Sequence, residues 1–260
     1  MVQSLLQKIL LLMFLCGAIP VAGGAQQSPQ ALFDEANKLL SSGQNMEAAM
    51  LYQQLEDQQN LSGALFLNLG IAYQRADSLG KAKYYFLKSS QFEETAARAE
   101  QALDYIDKQF SHQSAILPKL PWDVATNWLQ DNIGAPALLA AGLILFNLGI
   151  LFFIARWFIR GLPRAVKTMG FTIVGLAVVL MASAFYTQYV SNRYSVAVMV
   201  TEEAPVAETP REDASLVSQA FEGYTFTVDH KRSNEQPEWS YVRMSNGLYG
   251  WIPTKEIMIL

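Results

Sequence analysis

The sequence predicts a multidomain membrane protein with three structured parts: an all-α array of helical repeats, a two-helix transmembrane hairpin and a small all-β barrel. Two apolar runs, residues 135–158 and 169–189, each come to about the 20 residues that cross a hydrocarbon core at 1.5 Å per residue. Residues 31–90 repeat themselves at one constant offset. Residues 195–260 alternate apolar and polar side chains in short stretches separated by turn residues.

In the apolar pair, Arg156 is the only charged residue. Soluble helices keep a polar face, and these runs do not. The turn between them, about 159–168, carries Arg160, Arg164 and Lys167 and no acid. Cations beside membrane spans stay in the cytoplasm. The segments before and after the hairpin are therefore expected on the opposite side. Asn147 lies midway along the first run, where an amide needs a polar partner. Ser183 or Thr172 across the hairpin is one choice, a helix of a partner protein the other. Ala137 and Ala141, four apart, form a small-residue pair that suits helix packing.

The net charge of −4 argues against a nucleic-acid partner. Cys16 is the only cysteine, which leaves no disulfide framework and no thiolate metal site. His112 and His230 fall in different segments. No nucleophile–base pair, phosphate-binding loop or paired metal motif stands in the sequence, so neither an enzyme nor a cofactor is expected.

Residues 1–25 read as a signal peptide: Lys8, an apolar stretch at 9–15, Pro20, then small residues up to Ala25. An uncleaved anchor is the alternative. Either arrangement exports the repeat region, in agreement with the charge of the hairpin turn.

The internal repeat occupies 26–110. Leu32, Ala36, Leu39, Ala48, Tyr52 and Leu55 match Phe66, Gly70, Tyr73, Ala82, Phe86 and Ser89, every time at an offset of 34. That is the period of tetratricopeptide (TPR) repeats, helix pairs with small residues where the partners approach. Gly43 is expected to close the first helix, and Asn45 and Ser78 to cap the second helices. Asn60 and Glu94 stand where repeats usually end in proline. Ala96, Ala99, Leu103 and Ile106 predict one more helix that closes the array. Residues 111–134 form an interfacial linker: Pro118 and Pro121 interrupt any helix through them, and Trp122 and Trp128 suit the lipid–water boundary.

Five strands are expected after the hairpin, with an acidic loop at 201–215 and a hairpin turn at Ser245-Asn246-Gly247. The segments FEGYTFTV and EWSYVRMSNGLYGWIP resemble a bacterial SH3 domain, carried by Glu222, Gly223, Trp239, Val242, Gly247, Gly250, Trp251 and Pro253. The order of parts, with LNLGIAYQRADSLGKA, resembles the BatE family of the Bacteroides aerotolerance operons. The resemblance implies a bacterial inner-membrane protein crossing twice, with a TPR domain and an SH3-like domain (195–260) in the periplasm. It implies von Willebrand A-type membrane partners and, indirectly, a MoxR-type ATPase.

TPR domains that clamp a carboxylate use asparagines at the positions of Asn37 and Asn68 and a cation near Arg98. The expected groove adds Leu40, Ile71, Gln74 and Arg75. Bracing of the repeat backbone is the competing role for the asparagines. Tyr241, Tyr249 and Trp251 are expected to line an aromatic groove, or else to serve as core and rim of the barrel. The function expected from these features is a non-enzymatic membrane scaffold, with an envelope sensor for a cell-wall or peptide ligand as the alternative.

Overall fold

The computed structural model describes residues 28–113, 117, 121–159 and 164–260. The expected signal peptide and the turn residues 160–163 lie outside the described residues, as do the side chains of Trp122, Arg156, Trp157, Arg164 and Lys167. The chain divides into two compact units at Asn60/Leu61.

The first unit holds α1 (Pro29–Ser41) and α2 (Asn45–Asp57). Ser28 caps α1 by accepting from the Ala31 N–H, and Pro29 sits at its first turn, where the missing N–H costs nothing. Gly43 ends the helix at φ 83°, a conformation open to glycine. Ala36, Ala48, Ala49 and Tyr52 are fully buried. The Tyr52 hydroxyl donates to Asn37 Oδ1 at 2.6 Å.

The second unit begins with α3 (Gly63–Arg75), α4 (Leu79–Ser89) and α5 (Ala96–Asp107). Ser62 caps α3 through the Leu65 N–H. Gly70 lets α4 approach: a Cβ there would lie 2.4 Å from two ring carbons of Phe86. Ala82 and Phe86 are fully buried, as the repeat alignment requires, and α5 buries Ala99 and Ile106. Ser89 and Thr95, both buried, form a polar knot in which Ser89 Oγ donates to the Gly63 carbonyl at 2.9 Å and Thr95 Oγ1 to the Ser89 carbonyl at 2.8 Å. The expected caps on the second helices differ. Gln44, not Asn45, precedes α2, and the Ser78 side chain makes no capping bond.

A helix α6 (Pro121–Asn132) occupies the linker, starting on its proline. Then come α7 (Ala135–Phe158) and α8 (Arg164–Arg193). Both contain stretches long and apolar enough to cross a membrane, Ala135–Ala155 and Thr168–Arg193. The 21 residues of the first rise about 31 Å, close to the thickness of a hydrocarbon core. The helices pack through small residues. A Cβ on Gly142 would lie 2.7 Å from Met181 Cγ, and one on Gly149 2.4 Å from Val174 Cγ2. Ala177, Ala184 and Leu138 are buried along the same seam.

The C-terminal part is an antiparallel sheet of seven strands, ordered β3-β2-β6-β5-β4-β1-β7. They are β1 (Tyr194–Met199), β2 (Glu203–Ala207), β3 (Leu216–Phe221), β4 (Thr225–Asp229), β5 (Trp239–Met244), β6 (Tyr249–Pro253) and β7 (Ile257–Ile259). A short helix α9 (His230–Ser233) follows β4. Met199, Val206, Phe226, Val228, Val242, Met244 and Ile252 belong to its core. The β5–β6 turn forms where expected: Gly247 has φ 85°, and Asn246 Oδ1 accepts from the Leu248 N–H. Two strands, β2 and β3, correct the expected five, and β2 corrects the loop reading of 201–215. The acidic and proline residues of β2 disguise it, yet Ala204 and Val206 enter the core. The β6 ladder reaches β2 only at Ala207, which leaves Pro205 without a rung on that side.

Gly70→Val is expected to lower the stability of the purified chain by about 1–3 kcal/mol through overpacking against Phe86. Gly175→Ala, where a Cβ meets nothing within 4 Å, should not. Paired thermal melts of the full chain check this.

Candidate functional site

The outer face of β5 and β6 is built by strict alternation. Ser240, Val242, Met244, Gly250 and Ile252 point inward and are buried. The opposite face carries Trp239, Tyr241, Arg243, Tyr249, Trp251 and Pro253. The register pairs Trp239 with Pro253, Tyr241 with Trp251 and Arg243 with Tyr249. Tyr241 meets Trp251 edge-on with centroids 5.2 Å apart, and lies nearly parallel to Tyr249 at 6.2 Å. The Arg232 guanidinium sits 4.4 Å from the Tyr241 ring centroid and that of Arg243 5.7 Å from Tyr249. Neither arginine forms an ion pair among the described residues. Tyr241, Tyr249 and Trp251 are thus brought together, half-buried or exposed, on a solvent face. Ring faces and guanidinium forks side by side can hold an extended ligand that carries both apolar and anionic groups.

Arg232 owes its position to Asp229. This residue ends β4, caps α9 by accepting from the Lys231 and Arg232 N–H groups, and pairs with Arg193 at 2.7 Å. Ser233 completes the frame: its hydroxyl donates to the Asp229 carbonyl and accepts from the Tyr241 N–H. Arg193 is the last residue of α8 and also donates to the Tyr189 hydroxyl. Since β1 starts at Tyr194, no linker separates the long helix from the sheet. Burial pushes the Asp229 carboxyl up, but hydrogen bonds from Arg193 and the two backbone N–H groups outweigh it and hold the carboxyl below its ordinary range.

A joint ties the sheet to α4 and α5 within the second unit. The Gly80 N–H donates to Glu222 Oε1 at 2.7 Å, and Lys83 Nζ donates to the Gly223 carbonyl at 2.9 Å while pairing with Asp107 at 2.8 Å. The Phe110 ring occupies the space a Cβ on Gly223 would need. His112 stacks on Phe221 at 3.9 Å.

The expected groove residues of the repeat region belong to both units. In the first, Asn37 is engaged by Tyr52 and Leu40 is buried. Leu40 therefore offers little surface to a ligand. In the second, Asn68, Ile71 and Gln74 are half-buried on α3, and Arg75 and Arg98 are exposed. Asn68 and Arg75 already have interaction partners. Among the hairpin residues, Ala137 and Ala141 are exposed rather than packed against α8. Gly142 and Gly149 take that role, since a Cβ on either would run into Met181 or Val174 of α8. Asn147 reaches neither Ser183 nor Thr172; its Nδ2 donates to the Leu143 carbonyl of its own helix at 2.8 Å.

Sequence reasoning missed Arg232 and Arg243, although Arg243 follows from the period-2 pattern that places Tyr241. It also missed Arg193, Asp229 and the joint residues Gly80, Lys83 and Phe110. Among the described residues no cluster of three or more His, Cys, Asp or Glu is placed to hold a metal. A comparison with protein-family models and with curated proteins returns no match.

Asp229 has a lowered folded pKa, so its stabilising contribution is complete above the ordinary aspartate value and is lost as pH falls through the folded one. Melting temperature should therefore drop below about pH 4, and Asp229→Asn should lower it at neutral pH while flattening that acid limb. Thermal melts of both proteins across pH check the sign; parallel curves would exclude the coupling.

Proposed function

We propose that this protein is a non-enzymatic scaffold anchored in a bacterial inner membrane by α7 and α8. TPR-type helix pairs and an SH3-like sheet are displayed in the periplasm, where they recruit partners to one membrane patch. The observation that carries this reading is the aromatic and arginine face on β5–β6, set on a sheet that continues directly from α8. A binding face held by a span without a linker keeps its ligand near the bilayer. The 34-residue offset and the buried Ala36, Ala48, Gly70 and Ala82 support the TPR assignment. The positions of Gly247, Gly250, Trp251 and Pro253 support the SH3-like one. The BatE-like order of parts makes von Willebrand A-type membrane proteins the partners to seek first, and a MoxR-type ATPase an indirect one. The role would then belong to an aerotolerance or stress complex.

A second reading, an envelope sensor, is favoured by the same face, since exposed rings and arginines also suit a cell-wall fragment or a free peptide. Gentle solubilisation and affinity capture separate the two. A scaffold brings down stable membrane partners, and Tyr241→Ala with Trp251→Ala should cut their yield at least several-fold while the chain still melts cooperatively. A sensor binds an isolated ligand and retains no protein.

The basic turn sets the expected topology. A reporter active only in the cytoplasm should work when fused near Arg164 and fail when fused at Phe110 or Leu260. Activity at either outer site would overturn the two-pass arrangement.

A further inference from the structure

We infer that two copies of this chain associate in parallel through the lipid-facing side of α7, with their Asn147 amides hydrogen-bonded to each other at mid-depth. This rests on the reading that α7 crosses the bilayer.

The helix carries two seams. Leu138, Gly142 and Gly149 face α8. Ala137, Ala140, Ile144, Asn147, Leu151 and Ile154 recur in steps of three and four, and every one of them is exposed. At about 100° per residue the second seam lies roughly 170° around the helix from the first. Alternating three- and four-residue steps average 3.5, the spacing of a two-helix coiled seam.

Asn147 is the one polar member of that outer seam. It lies 12 residues after Ala135 and 11 before Phe158, near the middle of the span. One of its N–H groups goes to the Leu143 carbonyl. Its carbonyl oxygen and second N–H have no partner among the described residues. Hydrocarbon offers no water to satisfy them, so a partner from outside the chain lowers the energy. Two features point to a second copy. A primary amide is both donor and acceptor, so identical amides are complementary. A two-fold axis along the membrane normal also brings residue 147 of both copies to the same depth, which no unrelated helix guarantees. A lone asparagine in an apolar seam is a known means of fixing register between parallel helices. Ala137 and Ala140 let the backbones close at one end.

The test uses the full chain in its native membranes, with Cys16→Ser as background. Asn147→Cys, Ile144→Cys and Leu151→Cys, each alone, should give a disulfide-linked species of doubled mass under mild oxidation. Ile150→Cys, also exposed but about 90° from the mean direction of the seam, should give far less. In mild detergent, light scattering should show a dimer whose association weakens on the order of fivefold in Asn147→Leu and survives in Asn147→Gln. Equal cross-linking at 147 and 150, cross-linking at 147 to a different protein, or a dimer indifferent to Asn147→Leu would each overturn the inference. The topology reporters report separately. Correct topology without the 147 cross-link removes the dimer alone, whereas wrong topology removes the span on which it rests.

Discussion

The arrangement of the C-terminal half depends on one carboxylate. Asp229 closes the end of α8 through Arg193, caps α9 through two backbone N–H groups, and through α9 holds Arg232 over Tyr241. The pair is only partly exposed, with 23% of the Arg193 side chain and 10% of the Asp229 side chain open to solvent. Partial burial lowers the effective dielectric below that of water, so the attraction is less screened than that of an ordinary surface pair. The cost of burying the carboxylate is offset because each of its oxygens accepts hydrogen bonds. A helix end, a cap and the aromatic face are thereby tied to one charge.

A sheet joined to a long helix in this way cannot turn freely about a linker. The joint with α4 and α5 adds a second restraint. Glu222 and Gly223, residues that carry the SH3-like resemblance, bond to Gly80 and Lys83, and Phe110 fits against the bare Cα of Gly223. Gly223 has φ 81°, so a side chain there would be strained as well as clashing. Segments that precede and follow the hairpin in sequence thus pack as parts of one unit. The aromatic face is left presented in a defined orientation.

The packing of the hairpin turns on its small residues. α7 and α8 associate where glycine and alanine allow close van der Waals contact. Large residues such as Ile144, Leu151, Phe171 and Phe185 are turned outward. Such an outward apolar face suits helices long and apolar enough to cross a membrane.

Several properties of this protein were determined by patterns within the sequence alone. The two long apolar helices follow from the length and apolarity of runs 135–158 and 169–189. The β5–β6 hairpin follows from alternation around Ser245-Asn246-Gly247, since a strand's side chains switch faces at every residue. The buried small and aromatic residues of the helix pairs follow from the repeat offset, and three members of the aromatic face from the same alternation. The remainder was decided by tertiary contact. Nothing local marks EAPVA as a strand until β3 and β6 supply its partners. Asn147 and the alanines near it face outward because Gly142 and Gly149 come closer to α8 than any alanine could. Arg193 and Asp229 lie 36 residues apart, and Gly80 and Glu222 lie 142 apart. Pairings at such separations depend on where the folded chain brings charge and hydrogen-bonding groups together, which no pattern of neighbouring residues encodes.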